Sequence, residues 1–234
     1  MDSQPTDRVP AGQQQASTKA TRFGDRIVLF IARHWLALAN LAIFTFIAVP
    51  FMAPILMQAG MPRAARILYT IYLPTCHQLP DRSYFLFGEQ TVYTLGELEA
   101  AGVVPDTSLL QRRKYIGDET LGYKVAICER DLAIYGSMVV GGLIFAVLRK
   151  RRRIPRLPIG IYLLFLLPIA LDGFSQLFGL RTSNWFLRSV TGALFGLATV
   201  WLAYPYIQES MDDIELTTKQ RLARETGQIE RSEL

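Results

Sequence analysis

The sequence has very few of the residues that usually form disulfides or bind metal ions. Its 234 residues include two cysteines and two histidines. Two cysteines are too few for the disulfide framework of a small secreted domain, and Cys76 and Cys128 are too far apart for a CxxC redox motif. Any disulfide or metal site must therefore be assembled from separate parts of the chain.

Several sequence signatures of catalysis and binding are also missing. The chain contains no HExxH metalloprotease motif, no GxSxG nucleophile motif and no glycine-rich phosphate-binding loop. Heme would need axial ligands, for which His77 and the two thiols are poor candidates. The net charge of +5 comes from basic residues that cluster beside apolar segments, so we expect no nucleic-acid partner.

Long apolar segments are the main feature that the sequence does have. Hydrophobic residues make up 50% of the chain and are concentrated at about residues 35–57, 132–148, 158–180 and 184–207. A helix of roughly 20 residues crosses the hydrocarbon core of a bilayer. The sequence therefore predicts an all-α, polytopic membrane protein with four transmembrane helices, whose first partner is the lipid bilayer.

The loop between the first two predicted spans, residues 58–131, contains a shorter apolar segment. Residues 64–74 are too few to cross the bilayer, and Pro74 ends the segment because a residue before proline disfavours the helical conformation. We expect a short interfacial or re-entrant helix that brings Cys76 to the membrane edge. Further along the loop, a helical piece is expected around Leu95–Ala101.

The second and third predicted helices extend beyond their apolar segments. Residues 122–148 are predicted to form one helix, with a polar first part through Asp131 and the span after it. The third helix is expected to open at Pro155 and Pro158, to run to about Leu180 and to kink at Pro168, because proline fixes φ and removes a backbone donor.

Basic residues predict the orientation of the chain. The run Arg149-Lys150-Arg151-Arg152-Arg153, followed by Arg156, contains no acidic residue, and such runs stay on the cytoplasmic side. With four spans, both termini are then cytoplasmic and the 58–131 loop is extracytoplasmic, in a multi-pass protein of the cell (inner) membrane. Residues 1–34 are predicted to be a largely disordered cytoplasmic tail and residues 208–234 a charged, helical one.

Polar side chains occur near the outward ends of the predicted helices, where they are costly. Cys128, Asp131 and Tyr135 have the spacing of one helix face, and so do Asp172 and Gln176 on the third helix. Together with the Cys76 segment, they predict an outward-facing polar pocket at one depth. The alternative is a set of ion pairs, such as Asp172 with Arg188 or Arg181. The pocket candidates are Cys76, His77, Gln78, Arg82, Cys128, Arg130, Asp131, Tyr135, Asp172, Gln176, Arg181, Asn184 and Arg188.

The cysteines have three interpretations. Cys76 and Cys128 form a disulfide in the oxidising extracytoplasmic space, or they bind a zinc-like metal together with His77. In the metal site, Asp131 or water is the fourth ligand. In the third interpretation Cys76 is a reactive thiol with His77 as its base, or both cysteines are inert. The glycines of the fourth helix, Gly192 and Gly196, form a GxxxG motif that predicts close packing between helices.

Three motifs resemble those of an uncharacterised prokaryotic membrane-protein family, domain-of-unknown-function family 2085. They are Cys-His-Gln-Leu-Pro-Asp-Arg-Ser at residues 76–83, Gly-Tyr-Lys-Val-Ala-Ile-Cys-Glu-Arg-Asp-Leu-Ala-Ile-Tyr-Gly at 122–136, and Asp-Gly-Phe-Ser-Gln at 172–176, followed by Arg181, Asn184, Arg188 and Thr191-Gly192. The resemblance covers roughly residues 64–207. It implies a polytopic membrane protein and no agreed activity. Many members carry a second cysteine where this chain has Asp131, which weakens a metal site that depends on that cysteine.

Three hypotheses about function follow. The first is a membrane protein that binds a small ligand or a metal ion in the polar pocket. The second is an accessory subunit of a larger membrane complex or a homo-oligomer, with a structural disulfide between Cys76 and Cys128. The third is a membrane thiol-redox enzyme. The sequence leaves open whether the protein is an enzyme.

Overall fold

In the computed structural model, four helices of the described chain are long and apolar enough to cross a membrane. The structure describes residues 11–103, 108–151, 154–181 and 183–232. The four helices are α1 (Ala11–Gln58), α5 (Glu129–Leu148), α6 (Ile159–Leu177) and α7 (Trp185–Ser232). Between α1 and α5 lie α2 (Pro62–Tyr72), a 3-10 turn (Pro80–Arg82), β1 (Ser83–Leu86), α3 (Leu95–Ala100), α4 (Leu109–Arg112), β2 (Gly117–Asp118) and β3 (Gly122–Cys128). The predicted helical membrane architecture is confirmed.

The described chain divides into two units. The first combines the residues up to Leu38 with those from Tyr206 onward, and the second comprises Ala39–Pro205. In the first unit, α1 and α7 are joined by polar contacts between side chains. Arg33 pairs with Glu215 at 3.0 Å, and the indole N–H of Trp35 donates to Gln208 at 3.1 Å. α1 begins at Ala11, inside the segment whose composition predicts disorder, and residues 1–10 lie outside the described chain.

The short helix α2 has the eleven residues expected of a helix that does not span the membrane. Pro62 opens it, which suits proline because the first turn needs no backbone donor. Tyr69 and Tyr72 are buried, whereas Ile67 and Ile71 are each 60% exposed on other faces. The Tyr72 hydroxyl donates to the carbonyl of Phe46 on α1 at 2.8 Å. The predicted interfacial or re-entrant helix is therefore present, and it is attached to the first spanning helix.

The prediction of one continuous helix over residues 122–148 is wrong. Residues 122–128 form the strand β3, and α5 begins only at Glu129. Tyr, Val and Ile favour strands, and β3 is the central strand of a small sheet with the order β1-β3-β2. Ser83 of β1 lies opposite Cys128, and Gly117 of β2 lies opposite Tyr123. Pairing with the adjacent strand β2 and the distant strand β1 outweighs the local continuity that favours a helix.

The rest of the 58–131 loop folds around its own apolar cluster. Phe85, Tyr93 and Leu98 are buried together beneath this small sheet. The predicted helical piece is α3, and Thr94 caps it in a capping box with Glu97. The described residues of this loop thus have an apolar cluster of their own, and β1 and β2 pair with β3.

The GxxxG motif packs α7 against α5. A methyl group on Gly196 would lie 2.3 Å from the carbonyl oxygen of Ile134, and one on Gly192 would lie 2.9 Å from that of Arg130. Only glycine allows the two helix backbones to approach so closely. α6 begins after Pro158 and ends at Leu177, three residues before the predicted end. Pro168 lies inside α6.

Candidate functional site

The two cysteines are brought together by the junctions that flank α2 and α5. Cys76 follows the C-terminal end of α2, and Cys128 is the residue that caps the first turn of α5. Both are free, buried thiols, 4% and 3% exposed. The backbone N–H of Cys128 donates to Sγ of Cys76 at 3.2 Å, and the N–H of Asp131 donates to Sγ of Cys128 at 3.4 Å. Backbone donors therefore surround both sulfur atoms.

A buried polar network holds the Cys76 segment against β3. The Gln78 side chain donates to the carbonyl of Tyr69 at 2.9 Å, and the Tyr69 hydroxyl donates to the carbonyl of Lys124. The Lys124 ammonium donates in turn to the carbonyls of Gln78 and Arg113, each at 2.7 Å. Gln78 has φ +49, a conformation that costs a non-glycine residue on the order of 1 kcal/mol. The network offsets this strain and fixes the loop that carries Cys76.

The two thiols have very different proton affinities. The hydrogen bond from the Cys128 thiol lowers the pKa of Cys76 to about 4, against the effect of burial and with help from His77 and the Gln78 N–H. The same hydrogen bond raises the pKa of Cys128, and burial adds to that rise. Of the two thiols, Cys76 therefore loses its proton more readily. Burial also lowers the pKa of Lys124 to about 7, although the charge of Cys76 opposes the shift.

Three ligand atoms converge at this point. The Sγ atoms of Cys76 and Cys128 and a ring nitrogen of His77 all lie within 4.8 Å of one another, and Sγ of Cys76 is 4.0 Å from Nδ1 of His77. In a tetrahedral zinc site with Zn–S near 2.3 Å and Zn–N near 2.0 Å, such atoms are about 3.6–3.8 Å apart. The carboxyl group of Asp131 interacts with both thiols. Small side-chain movements would bring the three atoms to the spacing of metal ligands.

A cavity of about 120 Å³ lies beside the ligand atoms. Three of its six lining residues are arginines. The lining residues are His77, Arg82, Cys128, Arg130, Asp131 and Arg188. They come from the segment after α2, the start of α5 and the start of α7, so the cavity depends on the tertiary fold.

Buried ion pairs hold two of these arginines. Asp172, 1% exposed, pairs with Arg130 and, at 2.7 Å, with Arg181. Glu129 is fully buried and accepts from Arg188 at 2.8 Å. Of the two partners predicted for Asp172, Arg181 is therefore confirmed, whereas Arg188 binds Glu129 instead. The acids lie behind the cavity wall and fix the guanidinium groups that form it.

Comparison with known proteins places the chain in a family. The model of a family described as "Predicted membrane protein (DUF2085)" matches residues 119–202. An uncharacterised protein of Methanocaldococcus jannaschii is 31% identical over 143 residues, which are 61% of this chain and 69% of that relative. The chain belongs to the DUF2085 family. No solved structure matches it.

The part of this DUF2085 protein that the family model matches contains Cys128, Arg130, Asp131, Asp172 and Arg188. It begins after Cys76 and His77. The site therefore combines residues inside the matched range with a segment outside it. The resemblance noted in the sequence thus identified the family, and the family description supplies no activity.

Several predicted pocket residues have other contacts. Tyr135, one turn further along α5, packs on Phe46 with ring centroids 5.0 Å apart. Asn184 caps α7, where its Oδ1 accepts from the N–H of Leu187 at 2.8 Å. Gln78 belongs to the network with Lys124, and Gln176 donates to Asp172 at 3.0 Å. These four side chains, with Asp172 and Arg181, support the pocket from outside its lining.

Two buried charges were missed by reasoning from the sequence. Glu129 follows Cys128 directly and opens α5, where an acidic residue is ordinarily a helix cap. Its complete burial depends on Arg188 from α7. Lys124 is fully buried in β3, and the helix predicted for that segment gave no reason to expect it inside. The only signal in the sequence was a lysine followed directly by the apolar residues Val125 and Ala126.

Proposed function

We propose that this membrane protein binds a zinc-like divalent metal ion through Cys76, His77, Cys128 and Asp131. The observation that carries the proposal is the convergence of three ligand atoms within 4.8 Å. The cysteines are separated by 52 residues of sequence, so the fold itself assembles the group. Thiolate sulfur and imidazole nitrogen are the ligands that zinc prefers in proteins.

The surroundings of the sulfur atoms support metal binding. Backbone N–H groups of Gln78 and Cys128 point at Sγ of Cys76 at 3.5 and 3.2 Å. Hydrogen bonds of this kind orient ligands and stabilise the negative charge of a thiolate. Asp131, on the first turn of α5, supplies an oxygen for the fourth position. With the carboxylate bound the coordination is closed, and with a water molecule in its place the metal keeps an exchangeable position.

The pocket is proposed to face outward from the inner membrane. Cys128 precedes the first residue of α5, and the basic run begins at Arg149, directly after its last. A helix of 20 residues is about 30 Å long, so the pocket and the basic run occupy opposite ends of a spanning helix. Basic loops remain in the cytoplasm. The pocket would then take its metal from the extracytoplasmic side.

Metal analysis of the detergent-purified protein tests the proposal. We expect one zinc per chain, lost in Cys76→Ser and Cys128→Ser and reduced in His77→Gln. The other histidine offers a matched control, because His34 contacts Phe30 within α1, and His34→Gln should keep its metal. Cobalt substitution should add thiolate-to-metal absorption near the ultraviolet. Full metal content in Cys76→Ser would refute the proposal.

The competing hypothesis is that the same two cysteines form a structural or redox-active disulfide. It is favoured by the proximity of the two sulfur atoms, which lie within 4.8 Å of each other. A disulfide requires about 2.05 Å between them, so a modest movement would bring the sulfur atoms to bonding distance, and an oxidant of the extracytoplasmic space would have to accept the two electrons. A metal-free protein whose thiols react with alkylating reagent only after reduction would establish the disulfide. The roles of accessory subunit in a larger complex or of thiol-redox enzyme would then replace metal binding.

A further inference from the structure

We propose that the 120 Å³ cavity is a binding site for a small oxyanion, held by Arg82, Arg130 and Arg188 next to the metal ligands. This deepens the proposed function, because it names the class of ligand that the same pocket takes in addition to the metal. The cavity wall carries three guanidinium groups and one carboxylate, that of Asp131. Guanidinium groups recognise carboxylate and phosphate oxygens through paired, charge-assisted hydrogen bonds.

The arginines are held in place before any ligand arrives. Arg188, 8% exposed, donates through one terminal nitrogen to Glu129 at 2.8 Å and to the backbone carbonyl of Asp81 at 3.0 Å. Arg130 is anchored by the buried carboxylate of Asp172. Neither acid lines the cavity. Their charges fix the positions of the two guanidinium groups, so an entering anion need not order them.

The same arginines have donors that are not used. The Nε atoms of Arg82, Arg130 and Arg188 are buried, and among the described residues no hydrogen-bond acceptor reaches them. Nε of Arg82 forms an ion pair with Asp81, 3.5 Å from the carboxylate oxygen, which is too long for a strong hydrogen bond. The three arginines line the same cavity, so their positive charges converge on it. An oxyanion supplies several acceptor oxygens on one small molecule.

The size of the cavity limits the ligand. At roughly 30 Å³ per water molecule, a volume of 120 Å³ accommodates about four waters. Phosphate, sulfate or a short carboxylate fits this space. His77 is exposed, which leaves the cavity open on that side. The oxyanion therefore comes from solution or from the head group of an anionic phospholipid.

Asp131 links the oxyanion to the metal. It is the one carboxylate of the cavity wall, and it would repel an anion. In the proposed function Asp131 binds the metal, which neutralises its charge and adds a cation beside the cavity. We therefore expect tighter oxyanion binding by the metal-loaded protein than by the metal-free protein.

Equilibrium dialysis with radiolabelled inorganic phosphate tests the site in the full-length protein in neutral detergent. We expect saturable binding to one site per chain, with a Kd raised about tenfold or more in Arg82→Gln, since a charge-assisted hydrogen bond is lost. Arg82 has no buried acid as partner, so this variant should fold normally. Arg66→Gln removes an exposed arginine of α2 and should bind phosphate like the wild type.

The outcomes separate the two proposals, because metal content is measured on the same samples. No saturable phosphate binding at millimolar concentration, or equal binding by Arg82→Gln and Arg66→Gln, would overturn the oxyanion site even if one metal is bound per chain. Phosphate binding that depends on Arg82 in a protein without metal would support the oxyanion site and contradict the metal site. Weaker phosphate binding in nanodiscs of phosphatidylglycerol than in those of phosphatidylcholine would identify the lipid head group as the source, and equal binding would identify a soluble anion.

Discussion

The backbone N–H of Cys128 donates a hydrogen bond to the sulfur of Cys76 at 3.2 Å, across 52 residues of sequence. Cys128 ends a strand and caps a helix, and Cys76 follows another helix. The contact therefore joins the start of the spanning helix α5 to the loop after α2.

The buried lysine of β3 is expected to hold the Cys76 loop closed. Lys124→Met removes the donor to the carbonyls of Gln78 and Arg113, and each unsatisfied buried carbonyl costs about 1–3 kcal/mol. Peptide mapping should show Cys76 alkylated several-fold faster in this variant than in the wild type. Lys114→Met, which changes an exposed lysine of the same loop, should leave the rate unchanged. Equal rates in both variants would contradict this role of Lys124.

Asp172 is expected to be sensitive to substitution. Asp172→Asn leaves Arg130 and Arg181 without their shared carboxylate in a site where Asp172 is 1% exposed. Breaking a buried pair from one side costs roughly 3–5 kcal/mol. The unfolding midpoint in detergent should fall by many degrees. Asp213→Asn, at an exposed position on α7, should unfold like the wild type, and a similar loss in both would argue against the ion-pair network.

Because α5 and α7 approach closely, we expect alanine substitutions at two glycines to affect stability differently. A methyl group at Gly196 would overlap the carbonyl oxygen of Ile134, so Gly196→Ala should destabilise the helix pair by about 1–3 kcal/mol. Gly160, in the first turn of α6, has nothing within 4 Å of the same position. Gly160→Ala is the matched control and should be neutral or slightly stabilising. The measurement is thermal unfolding in detergent, and a reversed order of the two variants would refute the packing.

Acid should weaken the turn between β2 and β3. The carboxylate of Asp118 accepts from the Tyr115 hydroxyl at 2.7 Å and from the backbone N–H of Thr120 and Leu121 at 2.9 and 2.8 Å. Burial raises the pKa of Asp118, but these hydrogen bonds outweigh it and lower the pKa below its ordinary value. The folded state therefore binds its proton less readily than the unfolded state. The resulting stability is fully present above the unfolded pKa of about 3.9 and is lost as the pH falls through the folded value.

Asp118→Asn isolates this effect. At pH 7 the variant should be about 1–2 kcal/mol less stable than the wild type, and the difference should shrink as the pH is lowered through about 4 towards the folded pKa. Glu119→Gln changes the neighbouring exposed acid and should show no such pH-dependent difference. Stability differences that are the same at all pH values would mean that the charge of Asp118 is not involved.

Local sequence was sufficient to predict the membrane helices. Apolar segments of about 20 residues leave no other fold in a bilayer, because each backbone N–H and C=O must be satisfied within its own segment. The same reasoning separated α2 from the spans, since eleven residues are too few to cross. The glycine spacing at Gly192 and Gly196 also predicted where a backbone approaches closely. The orientation of the helices remains a prediction.

The sheet and the burial of charge depended on distant partners. Residues 122–128 form a strand because β1 and β2 supply hydrogen bonds on both sides, and β1 is far from β3 in the sequence. Glu129 and Lys124 are likewise buried because Arg188 and two carbonyl groups reach them from elsewhere. Contacts between distant residues leave no periodic pattern in the local sequence. Reasoning from one segment at a time could not find them.

The sequence by itself determined the class of this protein, a helical membrane protein, and most of the chemically important side chains. The tertiary structure decided which of them meet. It brought Cys76, His77 and Cys128 together. It put Arg82, Arg130 and Arg188 around one cavity. Asp172 lies outside the lining of that cavity and forms an ion pair with Arg130. The thickness of the hydrocarbon core sets the required length of each apolar segment separately, so the composition of a segment is enough to predict a span. Ligand geometry depends on angles and distances between segments, which only the packed chain defines.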